Sequence, residues 1–254
     1  MNGRLPTMTL GPKTQARRGW PDLRGRVVFA AAVLAAAWVV RDYRGWVALG
    51  PGGLPHTPRG WLTMAVLRAQ AWRFDPFDTT GLTGTGHLTG PLPARPGLRP
   101  KVAHYPIPHR QLDQFPDPEF TSTLTIASFV ATRPTLTVRK SFFEKHNDAA
   151  FAAPGLPIHA DGRVSGGEFG HIHTDGSLHV VLTPADAANA IEHRWGQLHP
   201  AEGRAAGLPP TYVMLYAPRN PDEVAVAEQL LDAAAAHMTA NQQDSVRSLL
   251  GEGR

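Results

Sequence analysis

The sequence predicts an α+β protein: a two-layer domain with a mostly antiparallel sheet and two C-terminal helices, preceded by an N-terminal apolar anchor helix. Three observations predict it. From about Thr121 the chain turns to strand-like alternation of apolar and polar residues, in Thr123–Val130 and Thr135–Arg139. Two helix-start signatures follow, Thr183-Pro-Ala-Asp186 and Asn220-Pro-Asp-Glu223, with the strand-like run Thr211–Ala217 between them. Finally, Val27–Val40 holds fourteen residues without a charge, flanked by Arg24 and Arg26 on one side and Arg41 and Arg44 on the other.

The apolar segment follows a basic tail. Residues 1–26 carry six of the 25 Lys and Arg and only one of the 21 acids, so the other 228 residues are close to neutral, with 19 basic and 20 acidic groups. A nucleic-acid-binding domain needs a basic face on its folded part, so no nucleic-acid partner is expected. Fourteen helical residues reach about 21 Å, short of a hydrocarbon core of roughly 30 Å. Snorkelling arginines and the interfacial residues Trp38 and Tyr43 narrow that gap. A single-pass membrane anchor over residues 27–44 is therefore expected, with the side occupied by the domain left open. There are no cysteines, which excludes disulfides and thiolate metal sites.

Residues 45–118 read as a second helix over Trp61–Trp72 and a Pro/Gly-rich arm. Nine prolines and five glycines between Asp75 and Pro118 exclude a helix or a central strand there. The arm is expected to lie partly ordered along the domain of residues 119–242, ahead of a C-terminal tail at 243–254. Within the domain, Thr123–Val130 and Thr135–Arg139 read as strands, and Ser141–Phe151 as strand or short helix. Gly166–His173 and Ser177–Leu182 read as a hairpin. The helix opened by Thr183 runs to about Arg194, with Gly196 as its terminator.

Histidine makes the hairpin informative: His171, His173, His179 and His199 are among five of the chain's 12 histidines that fall between 171 and 199. A two-residue turn at Asp175-Gly176 would put His179 on the opposite face from His171 and His173. A three-residue loop, Thr174-Asp-Gly176 with a left-handed glycine, places Ile172 with Leu178, Val180 and Leu182 and gathers all three histidines on the other face. The apolar pattern selects the second. Strict alternation leaves Glu168 on the apolar side unless the approach through Gly166-Gly167 introduces a bulge.

Glu168-x-x-His171-x-His173, Leu178-His179, Trp195-Gly-Gln-x-His-Pro200 and Leu215-Tyr-Ala-Pro-Arg-Asn220 together resemble the fungal luciferase family. The resemblance extends upstream to Arg41-Asp-Tyr43, Gly50-Pro51, Arg59-Gly60, Arg99-Pro100 and Ser141-x-Phe-Glu-x-His146, and covers most of residues 27–240. Residues 1–26 and the region 75–95 depart from the family pattern, and the turn at Thr174–Ser177 is shorter.

The resemblance implies a membrane-anchored oxygenase whose substrate is a hydroxylated α-pyrone of the 3-hydroxyhispidin type or another small enolic compound. Molecular oxygen would be the co-substrate, with no flavin or metal cofactor. Such chemistry needs a general base for the enol proton and donors for the developing anion. His171 or His173 is the expected base, with His179 and His199 among the groups holding the anion. Glu144, His146, Gln197 and Arg219 are candidate supporting groups, and Trp195 or Tyr216 could stack on a flat ring. Two alternatives stay open. One is a metalloenzyme with His171, His173 and His179 as ligands and Glu168 or Glu144 as a fourth. The other is a non-catalytic, membrane-anchored module that binds a small ligand.

Overall fold

Strand parity and glycine placement build the observed sheet. The computed structural model describes residues 23–117, 124–203 and 208–250, with side chains described as far as residue 239. The basic tail expected at 1–26 therefore lies mostly outside the described residues. The described chain divides into two units that part between Arg44 and Gly45.

Helix α1 spans Leu23–Val47, longer at both ends than the apolar segment alone suggests. Its 25 residues reach about 37 Å, enough for a hydrocarbon core of roughly 30 Å. Residues 23–41 are all exposed. Among the described residues, α1 is the one helix long and apolar enough to cross a membrane, by length and composition.

In the second unit, α2 (Pro58–Gln70) starts at Thr57, whose side chain accepts from the Gly60 N–H, with Pro58 in the first turn. Helix α3 (Ile126–Ala131) corrects the expected strand over 123–130, of which residue 123 lies outside the described residues. Thr125 and Ser128 form a reciprocal capping box, and Ile126, Phe129 and Val130 share one buried helical face. A few alternating residues are weak evidence for a strand when the same residues also fit a helical stripe.

The sheet has six strands: β1 (Leu136–Lys140), β2 (Asp148–Ala152), β3 (Glu168–Ile172), β4 (Leu178–Val181), β5 (Gly196–Leu198) and β6 (Tyr212–Leu215). Their order is β1-β2-β3-β4-β6-β5 and every pair is antiparallel. Strand β5 replaces the expected helix terminator at Gly196. Helix α4 (Pro184–Glu192) instead ends through left-handed Arg194 at φ 67°, and Gly196 enters the sheet where a Cβ would lie 2.5 Å from the Met214 carbonyl oxygen. Helix α5 (Pro221–Leu250) packs on β2, β3 and β4 and continues through much of the expected tail at 243–254.

One sheet face is the core: Gly170, Leu178, Val180, Val213 and Leu215 turn towards the helices, and a Cβ on Gly170 would meet Leu231 of α5 at 3.1 Å. The arm is ordered and tied by its backbone, first to α4 on the core side and then, through residues 101–112, across the other face. Asp186 accepts from the His87 and Leu88 N–H groups, and Asn189 from Leu92. Trp195 donates to the Pro93 carbonyl, and Arg99 to the Ile191 and Gly196 carbonyls. The arm then doubles back, with Ala103 N–H on Arg110 O and Leu112 N–H on Lys101 O. The tip of that fold lies over the histidine face.

Candidate active site

The β3–β4 hairpin has the three-residue loop. His171 pairs with His179, Ile172 with Leu178, and the His173 N–H bonds the Ser177 carbonyl across Thr174–Gly176, with Gly176 at φ 84°. His171, His173 and His179 therefore share one face, with ring centroids 4.6 to 5.3 Å apart. Neighbouring strands add to that face by the same parity: Tyr212 from β6, Gln197 from β5 and His199 just beyond it. Glu168 joins them through a bulge. Ala150 pairs with Gly170 but Phe151 with Glu168, so Phe169 is the extra residue; it turns into the core while Glu168 turns to the histidines.

Hydrogen bonding fixes the protonation pattern. The buried Glu168 carboxylate accepts from Ser141 Oγ at 2.8 Å, from the Phe142 and Phe143 N–H groups at 2.6 and 3.4 Å, and from His171 Nδ1 at 2.8 Å. His171 thus carries its proton on Nδ1, leaving the Nε2 lone pair 3.4 Å from His179 Nδ1. The pattern then propagates. His179 Nε2 lies 3.2 Å from His109 Nδ1, His109 Nε2 lies 3.2 Å from Gln197 Nε2, and Tyr216 donates to Gln197 Oε1 at 3.1 Å. Every link is satisfied when each donor points towards Glu168, so one carboxylate sets the tautomers of three imidazoles.

Two other histidines are fixed independently. The Ala201 N–H donates to His199 Nδ1, which places the proton of neutral His199 on Nε2. Ser177 Oγ donates to Asp175, so His173 Nδ1 donates to Ser177 Oγ, and its Nε2 is a buried lone pair without a hydrogen-bond partner, 3.8 Å from Glu144 Oε1. Burial keeps these rings uncharged. It pushes His109, His173 and His179 well below the usual histidine range, helped by Arg110 at the first two and by crowding of the imidazoles, and pushes His199 down to about 3.

A cavity of about 230 Å³ opens onto this array, walled mainly by apolar surface. His109, His171, His179 and His199 line it with Tyr212, Glu144, Phe142, Phe143 and Leu54. The Glu144 carboxylate is paired with Arg110 at 2.9 Å. The Tyr212 ring stacks on His179 at 4.7 Å, and its hydroxyl is buried without a partner. Burial first, then the carboxylates of Glu168 and Glu144, raises that hydroxyl well above its ordinary range, so it stays an O–H donor.

The remaining candidates lie elsewhere. Trp195 is buried against the arm, and Arg219 is clamped by Glu223, Gln114 and the Pro96 carbonyl. His146 bonds the Glu144 carbonyl and is partly exposed. Gln197 and Tyr216 support the relay from behind without lining the cavity; Gln197 and His109 also border a second cavity of about 290 Å³ beside α2. Sequence reasoning missed His109, Arg110 and Tyr212. Tyr212 was readable, since it has the parity of Met214 and so of His179 in the neighbouring strand. His109 was not, because its place depends on how the arm folds back. For a metal, His171, His173 and His179, or His109, His179 and His199, each offer ligand atoms within 4.8 Å of one another.

A family model described as Luciferase domain matches residues 166–234, the stretch from the glycine pair before β3 into α5. Luciferases of Armillaria gallica and Armillaria mellea are each 32% identical to this chain, over 82% and 84% of its length and 85% and 86% of theirs. The chain belongs to the fungal luciferase family. The Neonothopanus nambi luciferase is 31% identical over 84% of this chain and 85% of its own. No solved structure matches this member of the family.

Proposed function

We propose that this family member is an oxygenase that uses histidine general-base chemistry on a small enolic or α-pyrone compound of the 3-hydroxyhispidin type, with molecular oxygen as co-substrate and α1 as its membrane anchor. The observation that carries the reading is the Glu168–His171 pair at the wall of a largely apolar cavity. The His179 Nδ1–H, at 3.4 Å the longest link of the array, turns from His171 Nε2 to the substrate, and His171 Nε2 takes the enol proton, breaking O–H and forming N–H, while Glu168 stabilises the imidazolium. The His199 Nε2–H and the Tyr212 O–H donate to the enolate oxygen. The enolate carbon then forms a bond to oxygen, whose O–O unit takes the electron pair and becomes a peroxide anion. Return of the proton from His171 gives the hydroperoxide, so enol plus oxygen balances without another reductant.

The test is oxygen uptake, with photon counting, by full-length detergent-solubilised protein given 3-hydroxyhispidin in the presence of a chelator. His171→Asn with an unchanged thermal midpoint is expected to lose uptake. Uptake that survives this substitution overturns the base assignment, and uptake that appears only after a transition metal is added moves the chemistry to the three-histidine metal reading. Recovery of the protein with membranes after alkaline washing tests the anchor; release into the wash refutes it.

A further inference from the structure

We infer a second site, outside the catalytic array: a divalent transition-metal site formed by His159, Asp161 and His237 that clasps the segment before β3 to α5. The three ligand atoms lie within 4.8 Å of one another. His237 Nε2 is 2.9 Å and His159 Nδ1 3.3 Å from the same oxygen, Asp161 Oδ2. An ion with bonds of about 2.0–2.1 Å in tetrahedral geometry needs ligand–ligand edges of roughly 3.3–3.4 Å, so two of the three edges are nearly in place.

The hydrogen bonds leave a mismatch that a cation relieves. His159 Nδ1 accepts from the Asp161 N–H at 3.3 Å, so in that tautomer its lone pair lies close to a carboxylate oxygen, one acceptor beside another. The ligands are also held firmly by the backbone. The His159 N–H bonds the Met238 carbonyl at 2.9 Å, and a Cβ on Gly162 would collide with Met238 at 2.2 Å. His159 and Asp161 are about a third and a fifth exposed, which leaves an open side for water as a further ligand. Two imidazoles, one carboxylate and an open position suit zinc or another borderline divalent ion rather than calcium or magnesium. The site owes nothing to the oxygenase reading.

The experiment is zinc uptake by metal-stripped full-length protein in detergent, counted against a chromophoric chelator, with thermal midpoints measured alongside. The cavity histidines also offer ligands, so H159A/D161N is compared with H171A/H173A. The expected result is loss of one zinc equivalent, and of the zinc-induced rise in midpoint, in H159A/D161N alone. H159A/D161N should keep the wild-type oxygen uptake or lack of it. Equal zinc uptake in wild type and H159A/D161N, or loss confined to H171A/H173A, overturns the site. His237→Gln, which keeps the packing of a buried side chain, should reproduce the loss of affinity.

Discussion

Glu168→Gln is the sharpest perturbation because hydrogen-bond geometry dictates where its new amide group must go. Oε2 of Glu168 receives two backbone N–H groups, from Phe142 and Phe143, which cannot turn away. The glutamine oxygen is therefore forced into that position, and its NH2 takes the place of Oε1, facing Ser141 Oγ and His171 Nδ1. Two donors cannot share that contact, so His171 moves its proton to Nε2 and loses the lone pair proposed as the base. When the carboxylate behind a catalytic histidine becomes an amide in a serine protease, kcat falls about 10⁴-fold through the same tautomer error. Here a loss of about 10³–10⁴-fold is expected, roughly 4–5 kcal/mol of barrier. The assay is initial-rate oxygen uptake with 3-hydroxyhispidin, and ¹⁵N chemical shifts of the imidazoles report the tautomer directly. A folded Glu168→Gln protein with activity within about fivefold of wild type, a cost of only ~1 kcal/mol, refutes the dyad.

Other outcomes follow from the same contacts. Tyr212→Phe removes a buried hydroxyl that has no partner, so kcat should fall on the order of 10²-fold while the thermal midpoint holds or rises; an unchanged kcat removes Tyr212 from the anion-binding set. Gly176→Ala puts a side chain at φ 84°, with its Cβ 3.2 Å from Pro116 and 3.3 Å from Ala217, and should cost about 1–3 kcal/mol in denaturant titrations; a neutral result refutes the strained-loop account of the register. Acid should destabilise the fold before the carboxylates titrate. Histidines held neutral when folded bind fewer protons than the unfolded chain below pH 6.5, so their stabilisation is complete above that value and declines as pH falls. His199, at about 3, alone withdraws about 2 kcal/mol between pH 7 and 5, and His109, His173 and His179 act in the same direction. Equal urea midpoints at the two pH values contradict this.

The hairpin was legible in the sequence because one wrong residue of register would have buried the histidines among Leu178 and Val180 and exposed Ile172. The helix starts at Thr183 and Asn220 were legible because capping is local: Thr183 takes the Asp186 N–H, and Asn220 takes the Glu223 N–H. Elements decided by distant partners were not. Strand β5 is three residues long and exists because β6 offers it an edge, and Gly196 is there for close approach to Met214 rather than for helix termination. His109 reaches the site only because the arm is anchored at Asp186, Asn189 and Gly196, more than seventy residues further along the chain. Glu168 was legible as a possibility: alternation placed it in the core, and the glycine pair before it supplied the bulge that rescues it.

Collecting so many histidines in one buried site is compatible with a stable core only because a neutral imidazole is both donor and acceptor. A chain of such rings satisfies itself link by link and leaves just its two ends to be matched. At one end Tyr216 supplies a hydroxyl and Gln197 inverts donor into acceptor; at the other Glu168 supplies a carboxylate already solvated by Ser141 and two backbone amides. The rings beyond His171, pressed down by burial, stay neutral. The array commits its donors to one direction, towards Glu168. Without Glu168 the same histidines would be an uncommitted polar cluster, which is why the acid three residues before His171, rather than the number of histidines, makes this face chemically directed.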